Sequence, residues 1–177
     1  MILDGAVLVN MHKPTGCLTF NDYAENVFVP YWERTSGNIN RVDVVWDVYI
    51  AHSLKESTRS TRGKGVRRRV LPDSRIPKKL GVFSQNIENK TELFEYLADK
   101  RTESSPERMQ ILSTKGQEIV SNQQYELINT LAPCSHEDAD TRAILRVSDA
   151  ASHGLRKVMI RTVDTDVVVL AVAFFHK

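Results

Sequence analysis

The 177-residue chain is poor in several things, and each shortage closes a class of explanation. It has two cysteines, Cys17 and Cys134, which make neither a disulfide framework nor a zinc spacing and fit a reducing compartment. Its longest apolar run, Val167 to Phe175, is nine residues, against the roughly 18 to 20 that span a bilayer. No membrane partner is expected. The start, MILDGAVLVNMHKP, lacks the basic opening and small-residue cleavage site of a secretory signal, so an intracellular protein is expected, with nucleus and cytoplasm both open. Glycine-rich phosphate loops are missing as well. Gly63-Lys64-Gly65 has neither the leading spaced glycine nor the hydroxyl residue after the lysine, and no small-molecule cofactor is implied.

What is present suits one globular domain over residues 1–177, with 41% apolar and 26% charged residues. The net charge of +2 hides an asymmetry. Between Lys55 and Lys79 stand ten lysines and arginines against Glu56 and Asp73, a local +8, which leaves 14 basic and 20 acidic residues, or −6, elsewhere. A basic arm over residues 53–80 thus accompanies an acidic body, as a phosphate-binding surface beside a carboxylate site would require.

The acidic side is organised by strands that end on aspartate. Val158, Met159 and Ile160 read as a strand buried on both faces, followed by Asp164 and Asp166. At a spacing of two, extended residues point to one side, and two carboxylates so aimed repel unless a cation lies between them. A divalent ion answers that; the competing reading is that the pair caps the next helix. Asp4 ends the first apolar run, before a helix over Gly5 to His12. Asp47 ends the apolar run within Asn38 to Tyr49. In parallel α/β sheets ligand sites gather at the carboxyl ends of strands, which would bring Asp4, Asp47 and Asp164 to one edge. Glu137, Asp138 and Asp140, with His136 beside them, open a helix whose face carries Ala139, Ala143, Val147, Ala150 and Ala151 and which Gly154 stops. Three acids in four residues exceed what capping needs.

Other segments read as framework. Thr19 to Glu33 places Phe20, Tyr23, Ala24, Val27 and Phe28 on one helical stripe that Pro30 limits or bends. Lys90 to Arg101 reads as a helix with Leu93, Phe94 and Leu97 inward. Asn89-Lys90-Thr91 is a glycosylation sequon in form, but reads better as that helix's start, with Asn89 as N-cap and Glu92 three residues on. Met109 to Val120 reads as two short strands, or a strand and turn, around Lys115-Gly116. Within the basic arm, a helix over Ser53 to Arg62 would align Lys55, Arg59 and Arg62 on one face. Arg67, Arg68 and Arg69 follow as a nucleic-acid contact, a nuclear-targeting patch or a plain solvated face.

Taken together, ILDG with Asp4, VVWD with Asp47, EDAD with Asp138 and Asp140, and VDTD with Asp164 and Asp166 resemble, in that order, the PIN-like nuclease superfamily, in particular its flap endonuclease and XPG-type 5′ nuclease branch. The strings VDVVWD, GKGVRRRV and VDTDVVVLA are also similar to those of uncharacterised, often transposon-associated animal proteins. The resemblance implies a PIN-like, Rossmann-like three-layer α/β domain around a mainly parallel sheet. It implies that the six aspartates hold one or two Mg²⁺ or Mn²⁺ ions, and that Lys55 and Arg62 clamp the scissile phosphate of DNA or RNA. Arg59, Lys64, Arg67, Arg68 and Arg69 would contact the nucleic acid. Family members carry a further acid and often a helix-hairpin-helix beyond the point matching Lys177, and the flap nucleases a glycine-rich start. The chain is therefore expected to be a C-terminally truncated piece, either a nuclease or a binding module that no longer cuts. A phosphohydrolase with an aspartyl nucleophile is the other enzymatic reading, and LDGAV around Asp4 lacks the D-x-D-x pattern it needs.

Overall fold

The computed structural model describes residues 1–37, 39–50, 65–104, 108–126 and 128–175. Lys55, Arg59, Arg62 and Lys64, with the helix expected over Ser53 to Arg62, lie outside the described residues.

Five strands form one sheet: β1 (Ile2–Asp4), β2 (Arg41–Val45), β3 (Gln110–Lys115), β4 (Glu118–Ser121) and β5 (Ile160–Arg161), in the spatial order β4-β3-β2-β1-β5. β1 runs parallel to β2 and β5, and β2 parallel to β3; β4 returns antiparallel through a tight hairpin at Gly116, whose φ of +58 is left-handed. From β1 the chain first builds outward through β2 and β3, and later crosses to the opposite side to lay down β5. The reversal leaves a crevice at the carboxyl ends of β1 and β5, the usual ligand position of an α/β sheet. The architecture is α/β, as the sequence implied.

Alternation along the strands divides the core. Leu3, Val42, Val44, Trp46 and Ile111 pack against α1 (Gly5–Met11), the helical run of α2 (Phe20–Tyr23), a π turn (Ala24–Phe28) and α3 (Val29–Ser36), and α5 (Ile87–Glu103), which follows the short α4 (Leu80–Phe83). Phe20, Tyr23, Ala24 and Phe28 are buried as the stripe predicts. Pro30 stands in the first turn of α3, where its missing N–H costs nothing, and the π turn just before it absorbs the irregularity. On the other sheet face, Ile2 and Val45 meet Ala139, Ala143 and Val147 of α7 (Ala139–Ser152). The small side chains of that helix allow the close approach. Leu112 and Ile119 pack on α6 (Ile128–Leu131).

Two expectations fail at the ends of helices and strands. Asn86, not Asn89, caps α5, accepting from Asn89 N at 3.0 Å. Asn89 is fully buried one turn in, where its amide donates to the carbonyls of Val66 and Phe83. The Val158 to Ile160 run is not a strand buried on both faces: β5 is two residues long, sits at the sheet edge and leaves Met159 52% exposed. An edge strand has one neighbour, so its apolar composition did not translate into double burial. The apolar run behind it forms α8 (Thr165–Phe175), where Val168, Val169, Val172 and Phe175 are exposed and Val167 is buried.

Candidate active site

All six aspartates singled out by the sequence stand at the carboxyl edge of the sheet. Asp4 ends β1 and serves as N-cap of α1, its Oδ1 accepting from Ala6 N at 2.8 Å and Val7 N at 3.1 Å. Gly5 follows because nothing larger fits. A Cβ there would lie 2.4 Å from the Trp46 ring. Trp46, buried and hydrogen-bonded through Nε1 to Ser113 Oγ at 3.1 Å, in turn fixes where β2 ends and Asp47 begins.

Asp47 bridges the two layers. Its Oδ1 accepts from Ala139 N at the head of α7 at 3.1 Å, and Lys90 Nζ of α5 lies 3.5 Å from its Oδ2. Glu137 clamps the segment after β2, its carbonyl accepting from Val48 N at 2.8 Å and its carboxylate from Ile50 N at 3.2 Å. Asp138 is the N-cap residue of α7 and Asp140 lies in its first turn. An open cleft of about 500 Å³ is lined by Asp138, Asp140, Thr141, Asp164 and Asp166, with Val169 and Leu170 of α8 on one side.

Asp164 and Asp166 reach this cleft by a different route from the one their spacing suggested. The backbone is not extended across them: Asp164 precedes α8 and its Oδ1 accepts from Asp166 N at 2.9 Å, while Thr162 Oγ1 accepts from Asp164 N at 2.9 Å. The capping reading is realised, and both carboxylates nonetheless line the acidic cleft.

Electrostatics register the gathering. Partial burial, then the fields of Asp164, Asp4, Asp47 and Asp138, push the Asp140 carboxyl from its ordinary 3.8 to about 6. Asp4 is also raised, by burial first and by Asp47 among its neighbours, against the pull of the Val7 and Ala6 amides and of Lys90. Among the described residues, no three histidine, cysteine, aspartate or glutamate side chains stand close enough to hold one metal ion. The carboxylates converge on a region without closing on a point.

The described part of the basic arm is strapped to α5. Asn89 Oδ1 accepts from Arg68 N at 2.7 Å and Glu92 from Val70 N at 2.7 Å. Arg67 pairs with Glu88 at 2.7 Å and Glu92 at 2.8 Å, and Arg69 with Glu92 at 2.7 Å; Arg68 is exposed. Two of the three arginines of that triplet thus hold the arm in place, whatever else they touch.

Sequence reasoning missed Lys90, the hold of Glu137 on the segment after β2, and a second set of charged residues under α7. Arg41 and Asp43, in a strand that reads as apolar, are buried with Arg146 and Asp149. The spacing of Arg41, Asp43 and Val45 on one side of the strand, opposite Arg146 and Asp149 one helical turn apart, was the available signal. No family model matches the chain, and neither a curated protein nor a solved structure matches it.

Proposed function

We propose that this edge is the site of a metal-dependent phosphodiester hydrolase of the PIN-like nuclease superfamily, of the flap or structure-specific 5′ nuclease type, acting on DNA or RNA. The reading is carried by one observation: five aspartates from four chain segments gather at one edge, where partial burial first and then the neighbouring carboxylates raise Asp140 to about 6. Helix capping accounts for Asp4, Asp47 and Asp164 one at a time, but not for placing them beside Asp138 and Asp140, where like charges repel.

The donors fit a hard divalent cation, Mg²⁺ or Mn²⁺, by their chemistry, since carboxylate oxygens suit it and it keeps several of its waters. Retained water also suits carboxylates that surround a space without three of them closing on it. Asp4, Asp47, Asp138, Asp140, Asp164 and Asp166 would hold one or two such ions. When bound, the metal supplies an activated water and neutralises charge on the phosphate. The chain's own residues set the stage: Asp4 and Asp164 are oriented by the helix N-termini they cap, Asp47 by Ala139 N at the head of α7, and Lys90 offers a cation beside Asp47. Lys55 and Arg62, the expected phosphate clamp, belong to this proposal on the strength of the resemblance.

The second reading, a binding module that no longer cuts, draws on the same capping bonds, which give three of the acids a purely structural use. Cleavage assays on labelled single-stranded, flap and duplex substrates with Mg²⁺, Mn²⁺ or chelator separate the two. Asp164→Asn keeps an acceptor for Asp166 N and removes the charge. The hydrolase predicts products with metal alone and none from this variant. Unchanged products from Asp164→Asn, or products in chelator, remove the model.

A further inference from the structure

Beside Asp47, on the α5 side of the sheet, lies a second pocket of about 350 Å³. Its buried floor is aromatic: Trp46 and Phe94 have ring centroids 4.5 Å apart, and Tyr49 stands at the wall. Around the rim Thr91, Glu95 and Gln117 line it, and the side chains of these three make no hydrogen bond or ion pair among the described residues. Lys90 stands beside three of the residues that line this pocket, its ammonium 3.5 Å from Asp47 Oδ2, 5.1 Å from the Tyr49 ring centre and 5.3 Å from that of Phe94.

We propose that this pocket receives one unpaired nucleobase of the nucleic acid whose backbone passes the acidic cleft, so that the substrate is single-stranded at that position. The proposal rests on the nuclease reading and adds the substrate class to it. The volume falls at the lower end of the roughly 300 to 1,000 Å³ of small-ligand pockets, and the lining joins apolar, aromatic walls to a few polar groups, the usual composition of such sites. A planar heteroaromatic ring is the occupant that uses both. Its face lies against the partly exposed Tyr49, above the buried Trp46 and Phe94, and its polar edge meets the rim. Glu95, an acceptor only, favours bases that present an amino group, as carboxylates do when they accept from cytosine N4. Asp47 lines this pocket and takes part in the acidic gathering, so a base seated here leaves its own phosphate beside the carboxylates and Lys90. A base inside a duplex is stacked and cannot enter; it must first leave the helix.

The test is binding in chelator, which separates recognition from cleavage. A short fluorescein-labelled deoxyoligonucleotide is titrated by anisotropy against an abasic strand of equal length and against the duplex, with wild type, Tyr49→Ala and Gln117→Trp. Gln117 is exposed in a turn, so that variant fills the pocket from outside the core. The base-bearing single strand should bind wild type about tenfold more tightly than the abasic strand, within the range that base–aromatic stacking supplies. Both variants should erase that difference, and cytosine and adenine strands should bind more tightly than thymine strands. Equal binding of abasic and base-bearing strands, or a difference that survives in both variants, overturns the proposal. Base-dependent binding in a protein that never cuts leaves the pocket standing and removes the nuclease reading; metal-dependent cutting with binding indifferent to bases does the reverse.

Discussion

Helix α7 lies over two groups of acidic side chains, and the protein treats them in opposite ways. Toward its C-terminal end, Asp43 and Asp149 are buried and answered by arginine. Arg41 donates to Asp43 through Nε and Nη2, both at 2.9 Å, and to Asp149; Tyr125 OH donates to Asp149 at 2.6 Å, and Arg146 Nη1 lies 3.9 Å from Asp43. At the N-terminal end, partial burial and then the fields of Asp164, Asp4, Asp47 and Asp138 raise Asp140. Where carboxylates serve the fold, the fold supplies guanidinium groups at hydrogen-bonding distance. Where acids gather at the open edge, capping bonds and one lysine leave part of their repulsion uncompensated, which is the pattern of a candidate functional site.

Removing one partner of the compensated group should be the most damaging change. Asp149→Ala leaves two buried arginines, Arg41 and Arg146, to share Asp43, and should lower stability by about 3 to 5 kcal/mol, measured by urea unfolding. A loss below about 1 kcal/mol would mean that the inner group is not an ionic network, and the contrast would dissolve.

The uncompensated group should respond to metal with the opposite sign. Mg²⁺ or Mn²⁺ at ten times its dissociation constant should stabilise the fold by about 1.4 kcal/mol, and Asp140→Asn should weaken that response. The proton gives a second handle. Because the folded carboxyl of Asp140 titrates near 6 rather than 3.8, the unfolded chain releases this proton first as pH rises. In chelator, its contribution to stability therefore falls between about pH 4 and pH 6 and stays level above that. Comparing wild type with Asp140→Asn across this window isolates the effect; parallel curves would show that Asp140 feels no crowding.

The smallest effect is expected at the basic arm. Arg69 is 71% exposed on its side chain where it meets Glu92, so Arg69→Ala should cost under about 1 kcal/mol and should vanish in high salt. A larger loss would make the strap on α5 an essential part of the fold.

Much of this layout was legible in the sequence because strand-end aspartates and helix-opening acids are local patterns. The four acidic segments, the helix over Gly5 to Met11, the hairpin at Gly116 and the small-residue face of α7 each follow from a few neighbouring residues. What escaped depends on distant partners. Nothing near Asn89 says that Val66 and Phe83 will occupy its amide, and nothing near Lys90 places Asp47 beside it. The β5 run was misread because composition cannot tell a sheet centre from its border. Asp164 and Asp166 were assigned to the right place by an argument that assumed an extended backbone; a helix start brings them there instead.

Three of the acids, Asp4, Asp47 and Asp164, each hold the N-terminus of a helix in addition to acting on Asp140. This double employment bears on how descendants of such a protein would diverge. Relatives with and without hydrolytic activity would alike be selected to keep these side chains, since alanine at a cap costs about 1 kcal/mol. Retention of Asp4, Asp47 or Asp164 in a relative is thus poor testimony of activity; Asp140, which makes no such bond to a helix N-terminus, is the position whose loss would bear on the proposed hydrolysis.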